Sequence, residues 1–283
     1  MTKQLAEVMA IVNRTPDSFY DKGATFASEK ALLRIDGAVS AGASIIDVGG
    51  VKAGPGDDVD VAEEIDRVVP LIAAARGRHP DVTLSVDTWR APVAEAAIAA
   101  GADLINDTWA GFDPELVEVA GQHRVGYVCS HTGGITPRTR PHRVHYDDVV
   151  ADVIAETTAL AERAASLGVP EERIFIDPTH DFGKNTYHGL ELLRRVDELV
   201  ATGWPVLMAL SNKDFVGETL NRGLFGADIT ERVPGTLAAT AWAAARGVAA
   251  FRVHEVEATL DVIRMTAAIQ GEMAPLHTVR GLA

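Results

Sequence analysis

Ala41-Gly-Ala-Ser-Ile-Ile-Asp-Val-Gly-Gly50 reads as one unit of a repeating design. Gly42 closes an amphipathic stretch and is placed for the left-handed residue that ends a helix. A two-residue apolar run, Ile45 and Ile46, follows at once and stops at Asp47. The same order returns in Ala100-Gly-Ala-Asp-Leu-Ile-Asn106. Each copy is a helix stop, a short buried strand and a polar strand end.

Working outward, eight such runs recur. Residues 9–12 end in Asn13, 45–46 in Asp47, 84–86 in Asp87, and 104–105 in Asn106 and Asp107. Residues 127–129 lead to His131, 174–176 to Asp177, 206–210 to Ser211 and Lys213, and 251–253 to His254. The intervals carry apolar residues at helical spacing, predicting helices over 28–41, 61–76, 91–100, 115–123, 147–167, 190–201, 231–245 and 255–269. Gly42, Gly101, Gly168, Gly203 and Gly247 close five of them. Strict alternation of strand and helix implies parallel strands with right-handed crossovers. An open doubly wound sheet has the same alternation, but eight strands with eight polar ends favour closure. The expectation is a single TIM (β/α)8 barrel domain over 1–283, with its site where the strands end. The longest irregular stretches, 18–27, 51–59 and 133–146, follow strands one, two and five and belong to that end.

Composition removes other classes. The net charge is -14 over 283 residues, which argues against a nucleic-acid partner, because neutralising phosphates needs clustered Lys and Arg. No stretch has the length and apolarity of a membrane span. Residues 1–8 lack a signal pattern, and Cys129 is the only cysteine. A reduced, cytoplasmic location is expected, with no disulfide or cysteine metal cluster.

Several familiar motifs fail. Phe182-Gly-Lys-Asn185 lacks the first glycine and the Ser or Thr of a phosphate loop. His254-Glu255 has Ala258 where a zinc helix needs its second His. Any one strand-end acid is explained by helix capping. A set of them at one mouth asks for ligands, since buried charge needs a partner. The acids Asp47, Asp87 and Asp177 with Asn106 suit a nitrogen-rich heterocycle. Arg252 and His254 alternate on one strand, face the same side, and with Asn13 suit a phosphate-type anion.

The ordered motifs resemble those of dihydropteroate synthases. The stretches are Ala10-Ile-Val-Asn-Arg-Thr-Pro-Asp-Ser-Phe19, Ala43 to Gly50, Ser85-Val-Asp-Thr88, Ile105-Asn-Asp107, Phe175-Ile-Asp-Pro178 with Phe182-Gly-Lys184, Leu210-Ser-Asn-Lys213, and Arg252-Val-His254. The resemblance implies a barrel, commonly dimeric, that joins a pterin methyl pyrophosphate to p-aminobenzoate with Mg²⁺. By the same resemblance, Asp87, Asn106, Asp177 and Lys213 hold the pterin. Asn13, Arg252 and His254 hold the pyrophosphate, and Asn13 contacts the metal. Lys213, Arg252 and His254 then serve the chemistry. The first signature speaks against the related methyltetrahydrofolate–corrinoid methyltransferases.

The departures are concentrated. Where the family continues Glu-Ser-Thr-Arg-Pro-Gly, this chain has Val51-Lys-Ala-Gly-Pro-Gly56. The family Thr and Arg are Ala53 and Gly54, and Lys52 restores charge but not a guanidinium fork. Ser-Arg-Lys-Ser becomes Ser211-Asn-Lys-Asp214, so an acid replaces a Ser that contacts the acceptor carboxylate in the family. A Met that packs on the pterin becomes Ser130, and Gly-Ile-Gly becomes Thr179-His-Asp181. The pterin half keeps its polar residues while the aminobenzoate half loses its contacts. The expectation is a pterin-binding homologue with weak or absent synthase activity. A working synthase, a transferase for another amine and a non-catalytic binding paralogue are the alternatives. His131, His180 and Arg138 or Arg140 are candidates to frame a new acceptor pocket, with a solvated loop as the plainer reading.

Overall fold

The computed structural model describes residues 5–15, 28–139, 144–225 and 227–280. Eight parallel strands run β1 (Glu7–Asn13), β2 (Ile45–Gly49), β3 (Thr83–Asp87), β4 (Leu104–Asp107), β5 (Gly126–Ser130), β6 (Ile174–Asp177), β7 (Leu207–Met208) and β8 (Ala250–Val253). Their order is β6-β5-β4-β3-β2-β1-β8-β7. A parallel bridge between Ile176 and Val206 joins the two ends, with Ile176 N donating to Pro205 O at 2.9 Å. The expected barrel is therefore closed, and β7 is its shortest stave.

The period of two along each strand divides the core. Met9, Ile45, Leu104, Val128, Phe175, Leu207 and Ala250 fill the barrel interior. Their neighbours Val8, Ile46, Ile105, Tyr127, Ile174, Met208 and Phe251 face the helices. Both sets are buried, which is why the strands read as continuous apolar runs. Inward positions turn polar towards the carboxyl ends, so the same alternation that packs the floor builds the site.

Among the described residues the helices are α1 (Ser28–Ala41), α2 (Val61–Arg78), α3 (Ala91–Ala99), α4 (Glu115–His123), α5 (Val149–Ser166), α6 (Thr186–Arg194), α7 (Val196–Val200), α8 (Asp214–Leu220), α9 (Val233–Ala244) and α10 (Val256–Ile269). Asp60 starts α2 by accepting from Glu63 N, and Asp148 starts α5 by accepting from Val150 N and Ala151 N. The five predicted stop glycines all adopt positive φ, from 85° at Gly203 to 112° at Gly101. Most predicted helix ends fall within two residues of those observed, and two features differ more. The helix expected over 190–201 begins at Thr186 and breaks at Arg195, because an Asn185–His188 capping box starts it earlier. Helix α8 was not predicted: its seven residues are too few to show a period.

Candidate functional site

Six inward positions on β2, β3, β4, β6 and β8 make the floor. Asp47 Oδ1 accepts from Ser85 Oγ at 2.5 Å, and its Oδ2 accepts from Asn106 Nδ2 at 3.0 Å. Arg252 reaches across from β8, its Nε donating to Asp47 Oδ2 and its Nη2 to Asp87 Oδ2, each at 2.7 Å. Thr108 Oγ1 donates to Asp87 Oδ1 at 2.6 Å. On the far side Asp177 accepts the Thr179 N–H at 2.7 Å. Asp47, Asn106 and Asp177 are each almost fully buried. One guanidinium thus serves two carboxylates, while Asp177 keeps acceptor capacity towards the barrel axis.

Burial pushes Asp87 up to about 6; Arg252 opposes this and the neighbouring charge of Asp47 adds to it. Burial likewise raises Asp177 to about 6, against the Thr179 N–H and the charges of Lys213, Lys184 and Arg252. Burial works against the Arg252 charge, but Asp47 and Asp87 more than compensate and hold it above its ordinary value. Raised carboxyl groups in a pocket hydrogen-bond a ligand's N–H donors when ionised.

Above the floor lies a cavity of 370 Å³. Asn13, Asp87, Arg252 and His254 line it from the strands, and Lys213, Trp109 and Phe182 from the loops. Lys213 Nζ sits 5.1 Å from the Phe182 ring centroid, and the Trp109 and Phe182 rings meet edge to face at 5.1 Å. The His254 main chain is fixed by Ser211 Oγ, which accepts its N–H at 3.2 Å, and by Arg34, which donates to its carbonyl. Of the predicted site residues, Asn13, Asp87, Lys213, Arg252 and His254 line this one mouth, while Asn106 and Asp177 lie buried and do not line the cavity. Arg252, however, is engaged with the floor acids as well as facing the anion side.

Two strand-end residues do not converge. Asp107 faces outward and accepts from Tyr127 Oη at 2.6 Å and from the N–H groups of Trp109 and Gly111. His131 turns towards α5, where Nε2 lies 2.9 Å from Asp152 Oδ2. The candidate acceptor pocket framed by His131 and His180 is not formed. Both rings are wholly buried away from the cavity, and burial lowers them to about 4 and about 3. They are not solvated loop either. Arg138 instead ties the β5 loop to the β2 loop, donating to Asp57 O at 2.5 Å. Arg140 lies outside the described residues, as do residues 16–27 with the end of the first signature.

The opposite wall carries the departures. Ala53 and Gly54 line it, as do Asp181, Asn212 and Asp214. Asn212 is turned away, its Nδ2 donating to Glu255 Oε1 at 2.9 Å. Asp214 Oδ1 accepts from Arg232 Nη1 at 2.8 Å. Arg232 is buried, and also donates to the carbonyls of Asn212 and Gly223. Sequence reading missed Arg232, since nothing local marks it. It also missed Trp109, whose signal was an aromatic placed two residues after a polar strand end. Lys184 was read only as part of a motif. It is buried, lowered to about 7 by burial, and holds the β6 loop by donating to His131 O at 2.9 Å and Phe182 O at 3.0 Å.

A hard cation takes oxygen donors. The point where a Cβ on Gly49 would stand is 3.4 Å from Asn13 Oδ1 and 3.6 Å from Asp87 Oδ2. The glycine keeps open a space bounded by an amide oxygen and by a carboxylate oxygen that already accepts from Arg252, so oxygen donors of the kind Mg²⁺ takes stand beside a competing guanidinium.

A closed (β/α)8 barrel with an acid-and-amide floor under a cationic mouth defines the class, and the family model described as pterin binding enzyme matches residues 9–254. The chain belongs to the pterin-binding enzyme family. It is 63% identical over 282 residues to "Inactive dihydropteroate synthase 2" of Mycobacterium tuberculosis, covering 98% of this chain and 87% of the relative. Among solved structures, Mycobacterium tuberculosis Rv1207 matches with a TM-score of 0.74 at 51% identity, over 96% and 95% of the two chains. The Xanthomonas albilineans dihydropteroate synthase in complex with 7,8-dihydropteroate matches with 0.81 at 37% identity, over 94% of each.

Proposed function

We propose that this protein binds a pterin of the methyl pyrophosphate type and condenses it with p-aminobenzoate weakly or not at all. The observation that carries the reading is the floor. Asp87 and Asn106 are joined through Arg252 and Asp47 in one hydrogen-bonded layer, Asp177 lies buried on β6, and Lys213 lines the cavity beside them. A pterin's N–H and amino groups would donate to the carboxylates, and Trp109 and Phe182 would shield its faces from water. Asn13, His254 and Arg252 would receive the pyrophosphate, Arg252 by exchanging part of its contact with Asp87. Asn13 would hold Mg²⁺, which when bound neutralises charge on a leaving pyrophosphate.

The inactive relative supports the second half of the reading, and so does the altered wall. Ala53, Gly54 and Asn212 offer neither a cationic fork nor a hydroxyl to a benzoate. The acid at Asp214 is partly offset by Arg232, which makes it a weaker barrier than its charge alone implies. A transferase for another, uncharged amine fits the same wall. Cytoplasmic location and a homodimer are proposed with it. Leu190, Leu193, Leu220, Ala239 and Trp242 line an apolar groove of 410 Å³ that a second copy would cover. Among the described residues no helix is long and apolar enough to cross a membrane.

Calorimetry with a pterin pyrophosphate, followed by product analysis with p-aminobenzoate, tests both halves. Binding with turnover far below about 1 s⁻¹ is expected, against a median near 10 s⁻¹ for enzymes. Absence of pterin binding refutes the reading of the floor, and ordinary turnover refutes that of the wall.

A further inference from the structure

Two acids stand at the start of α8, and their surroundings differ. Asp214 is two-thirds exposed and paired with Arg232. Asp181, from the loop after β6, lines the same wall, and its Oδ2 accepts the main-chain N–H of Asp214 at 2.7 Å. Lys213 is the cation that acts on it, with Asp214 as a like-charged neighbour. Burial raises the Asp181 carboxyl above its ordinary value, and Lys213 and the main-chain N–H groups it accepts oppose that rise.

The loop holds Asp181 in place. Its φ is 71°, and Thr179 at 49° and Gly183 at 62° flank it in the same left-handed region. Such strain persists where the surroundings over-determine it. Here Thr179 is bonded to Asp177 through both its N–H and its hydroxyl, and Lys184 anchors the loop carbonyls. A side-chain carboxylate is thereby fixed in the wall, and one main-chain donor there is already used.

We propose that Asp181 is a specificity-determining residue of the cavity, excluding anionic second ligands and admitting neutral or cationic amines. Arg232 removes much of this role from Asp214 by pairing with it. The proposal rests on the pterin-site reading only for where the first ligand sits.

The test uses the full chain with p-aminobenzoate and its neutral analogue p-aminobenzamide, each titrated with 6-hydroxymethylpterin present. The variants are Asp181→Gly, which suits the positive φ, and Asp181→Asn, which keeps the hydrogen-bond acceptor and removes the charge. The wild type is expected to bind the amide at least about tenfold tighter than the acid, the scale of one lost charge contact. In both variants the acid should gain at least about tenfold while the amide changes little. A smaller gain in both variants overturns the proposal, as does a wild type that binds acid and amide equally. Binding of 6-hydroxymethylpterin alone is measured first. Its absence refutes the floor reading and leaves the acid–amide comparison to judge Asp181.

Discussion

Replacing Asp177 by Asn should move stability and binding in opposite directions. The Asp177 carboxyl titrates near 3.8 when unfolded and at about 6 in the folded chain, chiefly because it is buried. The folded state therefore holds its proton more tightly, and the wild type loses stability through this group as pH rises from about 4 to about 6. Asn is a neutral isostere that resembles the protonated acid and avoids that loss. Two pKa units correspond to about 3 kcal/mol of stabilisation at pH 7.5. With an unfolding entropy of about 2.1 cal/mol/K per residue over 283 residues, that is a Tm rise of about 5 °C. Well below the unfolded value of 3.8 the carboxyl is neutral in both states and the difference should vanish. Ligand binding should change the other way. An ionised carboxylate accepting pterin N–H groups contributes about 1.5–3 kcal/mol per bond, so Asn should weaken a pterin about 10–100-fold at neutral pH. Thermal unfolding across pH 4–8 and calorimetry with 6-hydroxymethylpterin are the assays. A Tm that falls at pH 7.5 would show that the Lys213 and Lys184 charges outweigh burial. An unchanged affinity would place the heterocycle elsewhere.

Three further outcomes are expected. Asp214→Ser with Ala53→Thr and Gly54→Arg should raise aminobenzoate-dependent product formation, and further with Asp181→Gly; product no higher than wild type in a chromatographic assay would move the defect out of this wall. Gly183→Ala should destabilise by about 2–4 kcal/mol, since the added Cβ would stand 2.2 Å from Thr132 O at a positive φ; a denaturant midpoint like the wild type would contradict the close approach. Leu220→Glu, at a half-exposed position beside Trp242, should yield monomers in sedimentation velocity if the groove on α6, α8 and α9 is covered by a second copy, and a dimer that survives the change would exclude that face.

The barrel was legible because its grammar is local. Gly42, Gly101, Gly168, Gly203 and Gly247 announced helix ends that need only a positive φ, and each strand ended on a polar residue visible in sequence. The floor was legible for the same reason: Asp47, Asp87, Asn106 and Asp177 occupy strand positions whose direction follows from a period of two. Asp107 and His131 misled because one residue of offset turns a strand side chain to the other face. The wall was only half legible. Substitutions at Ala53, Gly54 and Asp214 showed in the motifs, but the partner of Asp214 is Arg232, 18 positions away, and no pattern connects them. His180 was a candidate to frame an acceptor pocket in sequence and is a buried ring without hydrogen-bond partners on either nitrogen.

The uneven spread of change has a mechanical origin. Floor residues belong to strands hydrogen-bonded on both sides, and each acid there also balances another group. Removing Asp47 would strand Ser85, Asn106 and one donor of Arg252 together; such buried networks lose more than one contact at a time. Wall residues sit on loops, where Ala53 and Gly54 change a lining without breaking a ladder. The two new acids even add local stability, Asp214 by its pair with Arg232 and Asp181 by capping the start of α8. Loss of an acceptor subsite is then nearly free for the fold, whereas loss of the Asp47 network is not. A family member relieved of its synthase role would drift along this path. A retained floor is therefore weaker evidence of selected pterin binding than the motifs alone suggest, and the Asp177 variant separates the two causes. If Asp177→Asn stabilises the chain, folding alone does not demand that acid, and its presence points to a ligand.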